Sequence, residues 1–293
     1  MSEKQQVLYD IPGPKAIRRD LWLNIIFTVV IVGAIVWFVI DAASRGLFND
    51  RWQVLWAGDK GFSGLEVWER LLWDGLILGT MKAVVIAVPV VAVFALALTI
   101  ARQAPTRWVR YPAYGFTHVF RGIPVLLIIY FGVLALDLEP LWAVVLGLVV
   151  YNTAVVAEIL RAGIAALPSG QREAGLSIGL TPLQTMMRIQ LPQAIRIMLP
   201  ALISQIVVLL KDTSLGFIIG YVELLTVTKN LYNFFGNSSV VPLVLAAAVI
   251  YIGVNMAVSR LATWLEGRMR KTLPSGTAPK DTAPGLEAQA QAN

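Results

Sequence analysis

Two groups of residues in this chain have types and spacings that could do chemistry. The first lies inside apolar runs: Glu158 and Arg161 in one, and Gln205, Lys211 and Asp212 in another. An ionisable side chain at the centre of a membrane helix costs about 2.5 to 3.5 kcal/mol on insertion scales, so such residues pair with one another or line a polar pathway. Tyr151, Ala154, Glu158, Arg161 and Ala165 recur at helical spacing and share one face, while Val155, Val156, Ile159, Leu160 and Ile164 cover most of the rest. Gln205, Val208 and Asp212 share a face of the next apolar helix, with Ser204 and Lys211 beside it. Either set could hold a charged solute. Either could instead fix helix packing, through Glu158 with Arg161 at i,i+3 or through Lys211 with Asp212 or Glu158.

The second group is a polar, glycine-punctuated segment, Glu173-Ala174-Gly175-Leu176-Ser177-Ile178-Gly179, followed by Ile189-Gln190-Leu191-Pro192. Ser169 can cap one short helix, and Thr181-Pro182-Leu183-Gln184 reads as the start of a second, with Thr at the cap, Pro at the first helical position and Gln three residues after the cap. Gly175 and Gly179 stand four apart, which places them on one helical face where another backbone could approach closely. Two helices joined near Gly179 would suit insertion into a partner's groove; the alternative is an ordinary helix-loop-helix linker.

The elements that must carry these residues are membrane helices. The chain has 293 residues, of which 57% are hydrophobic and 14% charged, and its mean hydropathy is +0.70; those values exclude a soluble domain. Charge-free runs at Leu21 to Ile40, Ala83 to Ala101 and Val240 to Ser259 each approach the roughly 20 residues that cross a bilayer as helix. Shorter runs at Gly122 to Leu136, Leu141 to Ala157 and Ile197 to Leu210 read as three further spans.

A net charge of +6 and a pI near 9.6 could point to nucleic acid, but the positions of the basic residues decide against it. Arg45, Arg51, Lys60, Arg70 and Lys229 fall on one side of the spans; Lys82, Arg121 and Lys211 fall within them; the remaining sixteen fall on the other side. That asymmetry places both termini in the cytoplasm. Arg18-Arg19 before an apolar run mimics a secretory signal, yet twenty uncharged residues exceed the usual signal core, so an uncleaved first span is expected. Pro12-Gly13-Pro14 interrupts helix in the basic arm 1–20, and Trp52, Trp56 and Trp68 suit a membrane interface in the external loop. Pro89 marks a kink, Lys82 can snorkel, and the sole histidine, His118, has no ligand role. Residues 267–293 read as a disordered cytoplasmic tail. With no cysteine there are no thiolate metal sites, and no metal site is expected. Neither a phosphate loop nor a dinucleotide fingerprint is present.

The spacing from Glu173 to Pro192 resembles the signature loop of permease subunits in binding-protein-dependent ABC importers. Phe120-Arg121-Gly122-Ile123-Pro124-Val125-Leu126 and Lys211-Asp212-Thr213-Ser214-Leu215 resemble two further segments of the polar amino-acid permeases in that family. The likeness covers roughly residues 71–266. Gly175 departs from the commonest form of the loop, which has a second Ala, and the extra first span and external loop (21–70) resemble the glutamate-type permeases of high-GC Gram-positive bacteria.

The resemblance implies an all-α integral membrane protein of about six transmembrane helices, a five-helix type I ABC importer core plus one extra N-terminal helix, in the bacterial cell membrane. It implies a coupling loop at about 166–192, with Glu173, Ala174, Gly175, Gly179, Ile189, Leu191 and Pro192 as coupling residues. The implied partners are a cytoplasmic ATPase dimer that carries ATP and Mg, a second permease subunit, an extracytoplasmic solute-binding protein and an amino-acid substrate, with no cofactor in this chain. Glutamate or glutamine is the first expectation. Arg161 or Lys211 would meet the substrate carboxylate and Asp212 or Glu158 its ammonium, with Gln205 beside them. The alternative is an ion-coupled carrier or channel with Lys211 and Asp212 as a relay.

Overall fold

The computed structural model describes residues 13–44, 46 and 50–271. The start of the basic arm and the tail from 272 onward, where disorder is expected, lie outside the described residues. Nine helices organise the described residues: α1 Pro14–Ser44, α2 Gly64–Ala101, α3 Arg107–Gly122, α4 Val125–Leu134, α5 Pro140–Ala165, α6 Ser169–Ser177, α7 Pro182–Ile219, α8 Leu224–Phe235 and α9 Val240–Lys271. Helix α1 begins inside the expected arm, since Pro14 fits a first helical turn where no N–H is needed. Helix α9 runs past residue 266 to Lys271.

Five of these helices (α1, α2, α5, α7 and α9) are long and apolar enough to cross a membrane. The sixth candidate is the bent pair α3 and α4, which meet at 99° and make a span only if taken together. The corner is local chemistry: Ile123 precedes Pro124 and is held extended at ψ 127°, which no helix can pass through. With ten residues, α4 rises about 15 Å, half of a hydrocarbon core of about 30 Å. The Phe120 to Leu126 motif therefore forms a bend, not the opening of a straight span. Arg121, expected within a span, ends α3 instead. Helix α3 is amphipathic, burying Ala113 and Thr117 while Trp108, Tyr111 and Val119 stay exposed.

Helix α5 is the central column. More than half of its apolar window is buried, whereas none of α1's is, which leaves α1 as a lipid-facing accessory. Ala83, Ala87 and Val91 of α2, Ile129 of α4, Ala143, Val144 and Leu148 of α5 and Leu209 and Leu210 of α7 form one core. Small residues let these backbones come close, as expected in a bilayer. At Gly163 a Cβ would lie 2.5 Å from Met198 Cγ and 3.1 Å from the Ala194 carbonyl of α7.

A second core lies where Leu71, Leu224, Leu231 and Leu243 join α2, α8 and α9. Ser63 and Glu66 close a capping box at the start of α2, which then widens into a π-helix over Arg70–Met81. Gly79 touches the entry to α8, since a Cβ there would sit 2.5 Å from the Val222 carbonyl. Fully buried Glu223 caps α8, accepting from Thr226 N at 2.9 Å and the Tyr251 hydroxyl at 2.7 Å.

Candidate coupling segment and polar sites

The segment from Ser169 to Pro192 folds as two helices around a tight turn. Thr181 caps α7 through a reciprocal box, its hydroxyl accepting from Gln184 N at 3.2 Å while Gln184 Oε1 accepts from Thr181 N at 2.9 Å. Ser169 does not cap α6: it is the first helical residue, and Pro168 holds the cap position without a side-chain bond. Helix α6 ends in a Schellman turn, with Gly179 N bonded to Leu176 O at 3.0 Å and Leu180 N to Gly175 O at 3.2 Å. Gly179 sits at φ +85°, the left-handed region that glycine enters without a Cβ penalty.

The two glycines therefore do different jobs and form no common docking face. Gly175 is buried, and a Cβ there would lie 2.5 Å from Thr185 Cγ2 and 3.1 Å from Ile189 Cδ1. Its close approach is to α7 of the same chain. Nothing lies within 4 Å of a Cβ at Gly179. Leu191 is buried and Ile189 half-buried, so they anchor the segment, and Gln193 Nε2 ties it to Gln171 Oε1 at 3.1 Å. Glu173, Ala174, Gly179 and Pro192 are exposed. So are Leu176, Ile178, Leu183 and Met187, with Ile178 at 75% exposure, an apolar set flanking the turn on the face opposite the membrane core. An apolar patch of this kind marks an interaction surface.

Four of the five polar residues of the apolar runs separate into three places, and Asp212 lines none of them. Glu158 is the hub of a cationic cluster: its Oε2 accepts from Arg102 Nη1 at 2.8 Å, and its Oε1 accepts from Arg161 Nη2 at 2.7 Å and Nε at 3.0 Å. Arg121 Nη1 stands 3.6 Å from the same oxygen. The i,i+3 pair of Glu158 and Arg161 is thus formed. Gln205 turns into the bundle and donates to Asn152 Oδ1 at 2.7 Å, and Asn152 is itself bonded to Leu148 O. That pair borders a cavity of about 210 Å³ walled by Val88, Val91, Leu160 and Leu202. Lys211 is exposed on the other side of α7, in a groove of about 500 Å³ shared with Ser214, Asn255 and Ser259. Among the described residues neither Lys211 nor half-buried Asp212 forms an ion pair, with each other or with Glu158.

Residues 93–271 match the profile of the binding-protein-dependent transport system inner membrane component. The chain belongs to that family. It is 36% identical over 245 residues to the glutamate transport system permease protein GluD of Corynebacterium glutamicum, covering 79% of this chain and 88% of that one. The probable glutamine ABC transporter permease protein GlnP of Bacillus subtilis is 34% identical over 203 residues, covering 67% and 93%. A solved structure described as an amino acid ABC transporter with histidines superposes with a TM-score of 0.62 at 28% identity, covering 70% of this chain and 96% of that one. The inward-facing MetNI methionine ABC transporter shares the fold alone, at a TM-score of 0.55 and 17% identity. A multi-pass inner-membrane permease of the type I importer fold follows, and the ion-coupled carrier does not.

Several residues of these polar and apolar groups escaped sequence reasoning. Arg102 reads as one more charge in a basic turn, yet it is 3% exposed and bonded to Glu158; only its position at the very end of an apolar run hinted at burial. Asn152 lies on the Glu158 helix but off the face chosen for it. Leu176, Ile178, Leu183 and Met187 could have been found as apolar residues in a polar loop, a pattern with no core to explain it.

Proposed function

We propose that this permease is the translocating subunit of an ATP-driven importer of glutamate or glutamine. The carrying observation is the coupling segment: a capped, two-helix turn that keeps Leu176, Ile178, Leu183 and Met187 exposed although its own packing residues are buried. A chain without a phosphate loop has to receive its free energy there from a separate ATPase pair that carries ATP and Mg. A second permease subunit and an extracytoplasmic binding protein complete the assembly, and both termini of this chain lie on the ATPase side. The names of its relatives support the substrate. Lys211, unpaired in its groove beside Ser214 and Asn255, would receive the substrate carboxylate, and Asp212 its ammonium. Glu158 and Arg161 engage each other and Arg102, which makes them a packing and gating cluster in this arrangement.

Uptake of a labelled amino-acid panel by vesicles carrying the complete complex tests this reading. Glutamate or glutamine should accumulate only with ATP on the coupling-segment side, and vanadate should stop it. Uptake that survives ATP depletion and collapses with the ion gradient would refute the proposal.

A further inference from the structure

Three arginines surround one carboxylate at the end of α5, and the charge does not balance. Arg102, Arg121 and Arg161 lie within 3.6 Å of Glu158, which leaves two positive charges in excess. Both Glu158 oxygens are already engaged. Arg102 is almost completely enclosed, its guanidinium lies 4.7 Å over the Tyr114 ring, and its Nε, itself closed to solvent, has no hydrogen-bond partner among the described residues. A buried, unpartnered N–H on a charged group is costly and calls for an acceptor.

Beside that group lies a cavity of about 270 Å³ lined by Thr99, Arg102, Gln103, Tyr114, Arg161 and Ile164. No carboxylate lines it. Thr99 and Arg102 come from the end of α2, Tyr114 from α3 and Arg161 from α5, four residues before the end of that helix. Forked guanidinium donors match carboxylate and phosphate geometry, and two of them lining a small, partly open cavity favour one oxyanion over chloride.

We infer that this cavity is an oxyanion site, taking a carboxylate or phosphate group between Arg102 and Arg161 at the base of the coupling segment. The occupant bridges α2, α3 and α5. A ligand that binds one arrangement of these helices stabilises that arrangement and slows any cycle that must leave it. Two sources offer the chemistry: a free anion such as an acidic amino acid, and the phosphate of an anionic lipid at the membrane surface. The inference rests on the proposed orientation only for the side from which the anion arrives.

The test uses the complete transporter complex. Sodium glutamate and inorganic phosphate are titrated against sodium chloride at matched ionic strength while the thermal midpoint is followed, and the midpoint is compared in phosphatidylglycerol and phosphatidylcholine nanodiscs. Gln103→Glu is the diagnostic variant. Gln103 is exposed and unpaired, so the change leaves every arginine in place and puts a carboxylate at the cavity mouth. In the wild type, glutamate or phosphate should raise the midpoint where chloride does not, and in Gln103→Glu the apparent affinity should fall at least tenfold. Stabilisation by phosphatidylglycerol alone, again lost in Gln103→Glu, identifies the site as a headgroup site. No stabilisation in any arm, or stabilisation undiminished by Gln103→Glu, overturns the inference. In proteoliposomes, glutamate on the ATP side should slow turnover and glutamate on the opposite side should not. Binding that persists with the opposite sidedness refutes the proposed orientation and leaves the site standing.

Discussion

Replacing Gly179 separates two ways in which the coupling turn could fail. The residue sits at φ +85° with nothing within 4 Å of a built Cβ, so a side chain there meets no clash and its whole cost is backbone strain. A non-glycine residue in the left-handed region costs about 1 to 2 kcal/mol, and Asn less because its side chain can bond locally. That lowers the ratio of formed to unformed turn by roughly 5- to 30-fold in Gly179→Ala and Gly179→Leu alike. If the ATPase subunit binds only the formed turn, its apparent affinity falls by up to the same factor, in proportion to the formed fraction lost. Titrating purified ATPase subunit onto the permease in nanodiscs should therefore rank Gly above Asn, and Asn above an equal pair of Ala and Leu. Membrane insertion should be unchanged, since the turn lies outside every apolar window. An Ala variant as tight as wild type, with Leu far weaker, would refute the argument and show that side-chain bulk against the partner is what matters.

Other variants test the packing and the pathway. Gly175→Ala places a Cβ 2.5 Å from Thr185 Cγ2 and should cost about 1 to 3 kcal/mol by overpacking; the added change Thr185→Ala should restore the thermal midpoint. Glu158→Gln strands Arg102, which is 3% exposed, and should cost about 3 to 5 kcal/mol, because the exposed Arg121 and Arg161 add only about 1 kcal/mol or less each. Pairing it with Arg102→Met should recover most of the purified yield. Asp212→Asn should weaken substrate affinity about ten- to a hundredfold if it holds the ammonium, and Lys211→Met should not rescue it, because the two side chains are not paired. Burial lifts the Glu223 carboxyl above its ordinary 4.5, so the native state holds that proton more tightly than the unfolded chain. Its stabilising effect is complete below about pH 4.5 and is lost as pH rises through the raised folded value, and Glu223→Gln should flatten that part of the stability profile.

The helical class, most of the spans and the two-helix turn were legible because each is a local pattern. The Thr181 cap with Pro182 and Gln184 was readable to the atom, since a capping box involves residues three apart. Apolar length located α2, α5, α7 and α9 for the same reason. Long-range contacts were not readable. Arg102 and Glu158 are 56 residues apart, and Gln205 and Asn152 are 53 apart; helical periodicity gives a face but not the neighbour that the face meets. Ser169 shows the limit even at short range, because Pro168 fits the cap position by its own extended backbone, at φ −56° and ψ 139°. The 99° corner hid in a run apolar enough to read as one span, although Ile123-Pro124 carried the signal.

The coupling turn and the polar groups of the membrane are parts of one mechanical element. Helix α7 carries the turn residue Pro182 at one end and Gln205, Lys211 and Asp212 toward the other. It is pressed against α5 where Gly163 meets Ala194 and Met198, so a tilt of α7 has to pivot there. From Ala194 to Pro182 is about 18 Å of helix and from Ala194 to Gln205 about 16 Å at 1.5 Å per residue. A shift of about 2 Å at the docking end would therefore move Gln205 by about 2 Å in the opposite direction. The bond from Gln205 to Asn152 is 2.7 Å long, and a displacement of about 2 Å directed along it would take it past hydrogen-bonding distance. Pro192 and Pro200 add a second constraint, since each lacks the N–H that would bond one turn back, and the stretch Met186–Gln190 is already π-helical. A stroke at the turn then has three outcomes: α5 travels with α7, the helix bends at Pro192 or Pro200, or the Gln205 to Asn152 bond breaks. The close packing at Gly163 favours the first, because α5 and α7 can move together without opening a gap between them. Joint motion would strain the bond from Arg102 to Glu158 only where α2, which shares the same core as α5 and α7, stays behind.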